Sequence, residues 1–403
     1  MKTRATARLA VAWLTMFLVG TELFVFSPLL PTLAADYAVA ASSAGLAVTV
    51  FSLAYTVSAP LIGYFSDRVG RRRILVGSLL AFSLANILTA EVGSFSSLLG
   101  VRLFAGVAAA GVSPSLYALV GAAAPSKHRA TWLAIAVSGL LSSLAIGASA
   151  GGLLAALFGG APVFLLLAGV SLGLVWPNRS AWASEPAPAA TGVAPQAADR
   201  LSPAVLARRL VPMVVWSTGL YAVYTYLGTG LASSGLSPSQ TAGAILVYGC
   251  GAIGGALVGG HASDRLGAKF TANASLAGLG SCLLLLALAL DAGHLVVPFL
   301  AVSSSVAQLF FPAQQAGLAT DFPQHRAAVL AWNNSALFLG ISLGSLIGGE
   351  AIAMGGFATN LHIAAAMAFL GCVLNMILVP GRRCRRPSGK GERTGDARSS
   401  NPS

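Results

Sequence analysis

The sequence predicts an all-α integral membrane protein built as two six-helix bundles related by a parallel pseudo-repeat. Three observations predict it. Apolar runs long enough to cross a bilayer recur along the chain, basic residues mark alternate connections, and several motifs recur at one fixed offset. Of the 403 residues, 56% are hydrophobic and 9% are charged, whereas soluble domains carry about 25% charged residues. Such a chain cannot build a water-soluble surface.

The apolar runs cover about 9–34, 45–65, 74–92, 97–122, 131–157 and 161–177, then 210–232, 240–262, 270–290, 294–318, 328–355 and 358–380. Each reaches or approaches the roughly 20 residues that a helix needs to cross the hydrocarbon core. Helices are required because lipid offers no partner to an open backbone group. The first run is too long for the apolar core of a secretory leader, so it is read as a span and not as a cleaved segment. Residues 178–209 are rich in Ala, Pro, Ser and Gly and lack periodicity, as a flexible linker does. The organisation expected is a first bundle at 1–177, a cytoplasmic linker at 178–209, a second bundle at 210–380 and a basic cytoplasmic tail at 381–403.

The net charge of +12 would suit a nucleic-acid partner if it were clustered, but it is spread along the chain. Basic residues sit at Lys2, Arg4 and Arg8, at Arg68 and 71–73, at Lys127 and Arg129, in the linker, at Arg265 and Lys269, at Arg326 and in the tail. The connections between these carry none. This alternation follows the positive-inside rule, so both termini are expected in the cytoplasm and the macroscopic partner is the lipid bilayer, not nucleic acid. Cys250, Cys282 and Cys372 lie in apolar runs and Cys384 in the tail, with no metal-ligand spacing.

The halves repeat. The segment GYFSDRVGRR at 63–72, with Gly63, Asp67, Arg68, Gly70, Arg71 and Arg72, recurs around Asp264, Arg265 and Gly267. His128-Arg129-Ala130 recurs as His325-Arg326-Ala327, and Gly147, Gly151 and Gly152 recur as Gly344, Gly348 and Gly349. Every pair is 197 residues apart, which one duplication explains. Parallel six-helix repeats across a linker are a transporter architecture.

Glu22 falls near the middle of the first span. An ionised group there costs about 2.5–3.5 kcal/mol on insertion scales, so such residues mark proton or substrate pathways by default. The stripes Ser143, Gly147, Gly151, Gly152 and Gly340, Gly344, Gly348, Gly349 put small residues on one helix face, where another helix can approach closely. Arg102 is the one basic residue outside the cytoplasmic set, and a buried guanidinium needs a carboxylate or carbonyls. Aromatic and amide residues that could line a midplane pocket are Phe26, Tyr55, Tyr117, Tyr221, Tyr224, Gln314, Trp332, Asn333 and Asn334. This set suits an uncharged or weakly cationic amphipathic molecule. Glu91 and Asp291 read as interfacial, Glu350 stands beside the glycine stripe, and His261, His294 and His362 receive no role.

The 63–72 segment resembles the signature loop of the major facilitator superfamily, and the small-residue stripe of the fifth span resembles the motif of its drug–proton antiporter branch. The antiporter motif has a Pro where this chain has Ala148. The resemblance implies a major facilitator fold and a monomer in a bacterial cytoplasmic membrane. It implies proton-driven efflux of a small molecule, with the proton gradient as energy source and no cofactor. Glu22 and Arg102 would then carry proton coupling, and Asp67 with Arg71 would latch the cytoplasmic side. The rival readings are a proton symporter or uniporter for a sugar or nucleoside, which Asn333 and Asn334 would suit, and a membrane receptor that no longer cycles. No Ser/His pair, HExxH or carboxylate dyad in the spans points to an enzyme.

Overall fold

The computed structural model describes residues 2–125, 128–182, 202–290, 292 and 295–379. Most of the linker, the basic tail, Asp291, His294 and the Asp67 side chain lie outside the described residues. Among the described residues every regular element is helical. We number the helices α1 (Lys2–Phe24), α2 (Phe26–Asp36), α3 (Ala41–Ala44), α4 (Leu46–Val69), α5 (Arg71–Glu91), α6 (Phe95–Ala123), α7 (Arg129–Ser142), α8 (Ala148–Phe158) and α9 (Ala161–Ala181). The second half holds α10 (Pro203–Thr225), α11 (Leu227–Ser233), α12 (Pro238–Leu266), α13 (Ala268–Ala289), α14 (Val296–Gln308), α15 (Phe310–Asp321) and α16 (Arg326–Leu378). A π-helical turn, Ser143–Gly147, joins α7 to α8.

Ten helical stretches among the described residues are long and apolar enough to cross a membrane. The pair α10 and α11, bent by 42°, makes another. The 53 residues of α16 would measure about 80 Å if straight, far beyond a hydrocarbon core of about 30 Å. They are two spans, divided where Gly355 and Gly356 leave helical backbone geometry. Twelve crossings result, as the apolar runs predict.

Two glycines mark the repeat in the backbone itself. Gly70 separates α4 from α5 with φ +102°, and Gly267 separates α12 from α13 with φ +91°. A left-handed residue lets one helix end and the next begin at once, and only glycine does so without steric cost. These two are 197 residues apart. So are Gly159 and Gly356, which also have positive φ.

Within the first half, α1 packs on α7 and α9, and α6 on α4 and α5. Within the second, α10 packs on α16, and α14 on α12 and α13. The glycine stripes seat the first span of each half. A Cβ on Gly147 would run into Thr21, and one on Gly344 into the carbonyl of Thr218. Thr21 and Thr218 are again equivalent. At the next contact the roles are exchanged: Gly20 faces Ser143, and Ser217 faces Gly340. The outer surface keeps large apolar side chains exposed, among them Leu157, Leu288 and Ile377, as a surface solvated by lipid requires.

Across the halves, α4 meets α16, α12 meets α8 and the π turn, and α2 meets α11. Ser27 donates to the Tyr224 carbonyl at 2.5 Å and Tyr224 Oη donates to the Phe24 carbonyl at 3.1 Å. The Phe24 carbonyl is free to accept because Pro28, four residues on, has no N–H to offer it. Ser27 and Tyr224 are equivalent positions, 197 apart, so this contact sits on the pseudo-twofold axis. Further bonds join Ser342 to the Thr49 carbonyl (3.1 Å), Ser345 to the Gly45 carbonyl (2.7 Å) and Asn334 to Tyr55 Oη (3.0 Å). The Ser27, Tyr224 and Ser345 bonds lie toward the ends of their spans opposite the basic loops, whereas Asn334, close after Arg326 in α16, lies toward the basic end.

Ala148 follows the π turn directly, and its amide donates to the Ser143 carbonyl, five residues back. A π turn is a local break in the helical ladder, so the span is interrupted here without a proline. Ala148 already has φ −65°, the value proline imposes. Ala148→Pro would forfeit the amide's bond to Ser143 and is expected to cost about 1–2 kcal/mol, still less than the cost of about 3 kcal/mol for Ala136→Pro in the regular α7. Thermal unfolding of the purified variants checks the contrast. Gly344→Val should cost about 1–3 kcal/mol by overpacking against Thr218 backbone. Gly173→Ala, where a Cβ meets nothing within 4 Å, should not lower the melting temperature.

Candidate functional site

Glu22 lies on α1 and Arg102 on α6, and the two form an ion pair through Oε1 and Nη1. Both are enclosed, at 1% and 0% exposure. Arg102 Nε donates to the Ala47 carbonyl at 3.3 Å. The guanidinium lies between two rings, its Cζ 3.9 Å from the Phe26 centroid and 4.3 Å from that of Phe51. Aromatic faces attract a cation, by up to about 2 kcal/mol once water is excluded. Glu22 Oε2 and Arg102 Nη2 have no hydrogen-bond partner. The pair thus keeps one acceptor and one donor unused in an apolar shell.

Close packing brings the two charges together. Gly106, one turn beyond Arg102 on α6, lets its backbone reach the Phe51 carbonyl, which a Cβ would strike. Gly20 against Ser143 before Glu22, and Gly151 against Val25 after it, let span one settle against span five. In low dielectric the attraction of the charges is strong, but so is the cost of burying them. Such a pair adds little net stability while intact. Taking one member away leaves the other uncompensated, at about 3–5 kcal/mol.

On the other face of span one lies a narrow crevice between the halves, with a cavity volume of about 10 Å³, room for about one water. Leu23, Phe24, Ser27 and Val48 line one side, and Tyr221, Tyr224, Thr225 and Ile341 the other. Phe24 meets Tyr224 edge-on at 5.6 Å and stacks near Tyr221 at 6.5 Å, while Tyr248 lies 5.5 Å from Tyr224. Thr225 Oγ1 is buried without a partner. Neither Glu22 nor Arg102 lines this crevice.

The structure gathers some of the predicted pocket residues and disperses others. Tyr221 and Tyr224 line the crevice. Tyr55 is buried, stacked on Phe338 at 3.6 Å and bonded to Asn334, and Tyr117 is partly buried against the core. Phe26 faces the guanidinium. Gln314 donates to the Arg209 carbonyl at 2.7 Å, Asn333 is buried, and Trp332 is 47% exposed. Phe24, Ser27, Phe51 and Tyr248 were not in the predicted set. The offset of 197 from Tyr224 pointed to Ser27, and the position of Phe51 one turn beyond Ala47 has no sequence signal. A second ion pair, Arg209 to Asp321, joins α10 to α15 and has no equivalent in the first half, where the matching positions are Ala12 and Ala124. In the signature loop the Arg68 guanidinium lies 4.3 Å over the Tyr64 ring. Asp264 and Arg265 are exposed, and Arg71 and Arg72 open α5 half-buried.

A double-mutant cycle tests the site's electrostatics. Glu22→Leu and Arg102→Met should each destabilise by about 3–5 kcal/mol. The double variant should lose clearly less than the sum, because it leaves no charge unpaired. Unfolding in detergent reads the coupling.

A family profile described as Major Facilitator Superfamily matches residues 12–303 and 217–400. The "Uncharacterized MFS-type transporter YceJ" of Bacillus subtilis is 28% identical over 345 residues, covering 83% of this chain and 86% of its own. The "3-(3-hydroxy-phenyl)propionate transporter" of Escherichia coli is 30% identical over 339 residues, covering 80% and 81%. The "Chloramphenicol resistance protein" of Streptomyces lividans is 29% identical over 269 residues, covering 66% and 68%. Among solved structures, a D-xylose-proton symporter superposes with a TM-score of 0.78 at 16% identity, covering 93% of this chain and 98% of that one. A bacterial homologue of the lysosomal transporter Spinster, inward-facing and occupied, gives 0.74 at 15%, covering 92% and 96%.

Proposed function

The chain belongs to the Major Facilitator Superfamily, and on that premise we propose that it is a proton-coupled exporter of small ring-bearing molecules. As a member it is a multi-pass membrane transporter and not an enzyme. The observation that carries the proposal is the buried Glu22–Arg102 pair. A carboxylate at that depth is rarely kept without a role in moving charge. When Glu22 takes a proton, the pair loses its attraction and Arg102 keeps only the Ala47 carbonyl and two rings. Span one is then free to shift against spans two and four. That shift reaches the crevice directly, since Leu23 and Phe24 are on α1 with Glu22 and Ser27 follows on α2 of the same span. Proton and substrate act on one helix from opposite faces.

The crevice supports the substrate class. Its lining offers rings and hydroxyls, and the one full charge nearby, on Glu22, is already committed to Arg102. Once the halves part, an uncharged molecule with a ring and a hydrogen-bonding group would suit such walls best. The drug named for the Streptomyces lividans relative agrees with that chemistry, whereas the substrate named for the Escherichia coli relative shares the ring but carries a carboxylate. In this reading the basic end is cytoplasmic, both termini lie there, and the protein works as a monomer in the bacterial inner membrane. The Ser27, Tyr224 and Ser345 bonds between the halves lie away from the basic end, against the single Asn334–Tyr55 bond toward it among those described, which supports an inward-facing state. Asp67 and Arg71 would secure the basic end in the opposite state, and a substrate drives cycling only as far as it binds the two states unequally.

A second reading is proton-coupled uptake, since the Glu22–Arg102 pair can serve either direction. One experiment separates them. In an efflux-deficient host, wild type should lower the accumulation of chloramphenicol or another ring-bearing probe, and Glu22→Gln at equal expression should abolish that effect. In proteoliposomes with a pH-sensitive dye, substrate and protons should move in opposite directions for export and in the same direction for uptake. Unchanged transport by Glu22→Gln would remove the proton role.

A further inference from the structure

The geometry points to Tyr226 as the bolt that holds the end opposite the basic loops shut. Tyr226 sits where span seven breaks between α10 and α11, and it is fully buried. Its hydroxyl lies 3.1 Å from the Ser42 carbonyl in the first half and 2.9 Å from the Ser345 carbonyl in the second. One phenol thus spans a carbonyl from each moving body. Ser345 adds to the same seam through its 2.7 Å bond to the Gly45 carbonyl.

The ring has a socket made for it. Gly45 of the first half and Gly348 and Gly349 of the second all face Tyr226. A Cβ on Gly45 or Gly349 would meet the phenol oxygen, and one on Gly348 would meet the ring edge at 3.0 Å. The glycine stripe therefore has two tasks. Gly340 and Gly344 seat the body of span seven, while Gly348 and Gly349 make room for the bolt. In the first half, position 29 is equivalent to 226 and is Leu29, which has no hydroxyl to offer, so the bolt comes from one half alone.

This inference rests on a cycle of two ends and not on proton coupling, so loss of the proton role would leave it standing. The test is hydrogen–deuterium exchange on the full chain in nanodiscs, comparing wild type with Tyr226→Phe. Amide exchange of buried segments follows the population of open states. Losing the phenol's hydrogen bonding should raise that population about three- to tenfold. Residues 38–50 and 342–352 should exchange faster by that factor, and residues 66–75 and 262–270 at the basic end should exchange more slowly. A change confined to packing would not move the two ends in opposite senses. Gly349→Ala, which crowds the phenol oxygen and the Ser42 carbonyl, should give the same reciprocal pattern and serves if Tyr226→Phe does not fold. Unchanged exchange, or equal acceleration at both ends, would overturn the inference.

Discussion

A carboxylate and a guanidinium share an apolar interior, and neither can be there without the other. Glu22 and Arg102 cancel each other's charge, and the surrounding structure is arranged to make that possible. Phe26 and Phe51 cover the guanidinium on both faces. Gly106 lets span four close on span two, and Gly20 and Gly147 let span one close on span five. A larger side chain at any of these glycines would strike the facing helix and disturb the frame around the pair. The packing of spans one, two, four and five is thus bound to the electrostatics of one pair.

The pair also breaks the symmetry of the fold. The backbone repeats faithfully, down to the left-handed glycines at the same offset. The polar interior does not repeat. The second half has Gly219 and Phe299 where the first has Glu22 and Arg102, and the first has Ala12 and Ala124 where the second has the Arg209–Asp321 pair. The bolt at Tyr226 likewise faces Leu29 across the pseudo-axis. One half carries the titratable group, and the other supplies the bolt and most of the crevice tyrosines. Span one joins the two functions, with Glu22 and Phe26 on one face and Leu23, Phe24 and Ser27 on the other.

Much of this was legible in the sequence, and the reasons differ by residue. Span number followed from apolar length, and the repeat followed from matched motifs, because both are one-dimensional signals. Glu22 and Arg102 stood out singly, since a charge in an apolar run is conspicuous. Their pairing is a property of three-dimensional packing between residues 80 apart. The pocket set was the weakest part. Aromatic residues in membrane helices look alike in sequence whether they face lipid, a guanidinium or a crevice. Phe24 and Phe26 are two positions apart in one span, yet one lines the crevice and the other covers the guanidinium. Ala148 reads as a missing kink, but the π turn before it supplies the irregularity through hydrogen bonding that no residue type announces.

The central claim is that Glu22 itself takes up the proton and that doing so dissolves its pair with Arg102. Infrared difference spectroscopy on acidification, comparing wild type with Glu22→Gln in lipid, addresses it without a substrate. The account predicts a protonated-carboxyl stretch in wild type that is missing in the variant, with a matching change in the guanidinium bands that Arg102→Met removes. The same carboxyl band in both proteins, or no such band in wild type across the pH range where transport operates, would contradict it.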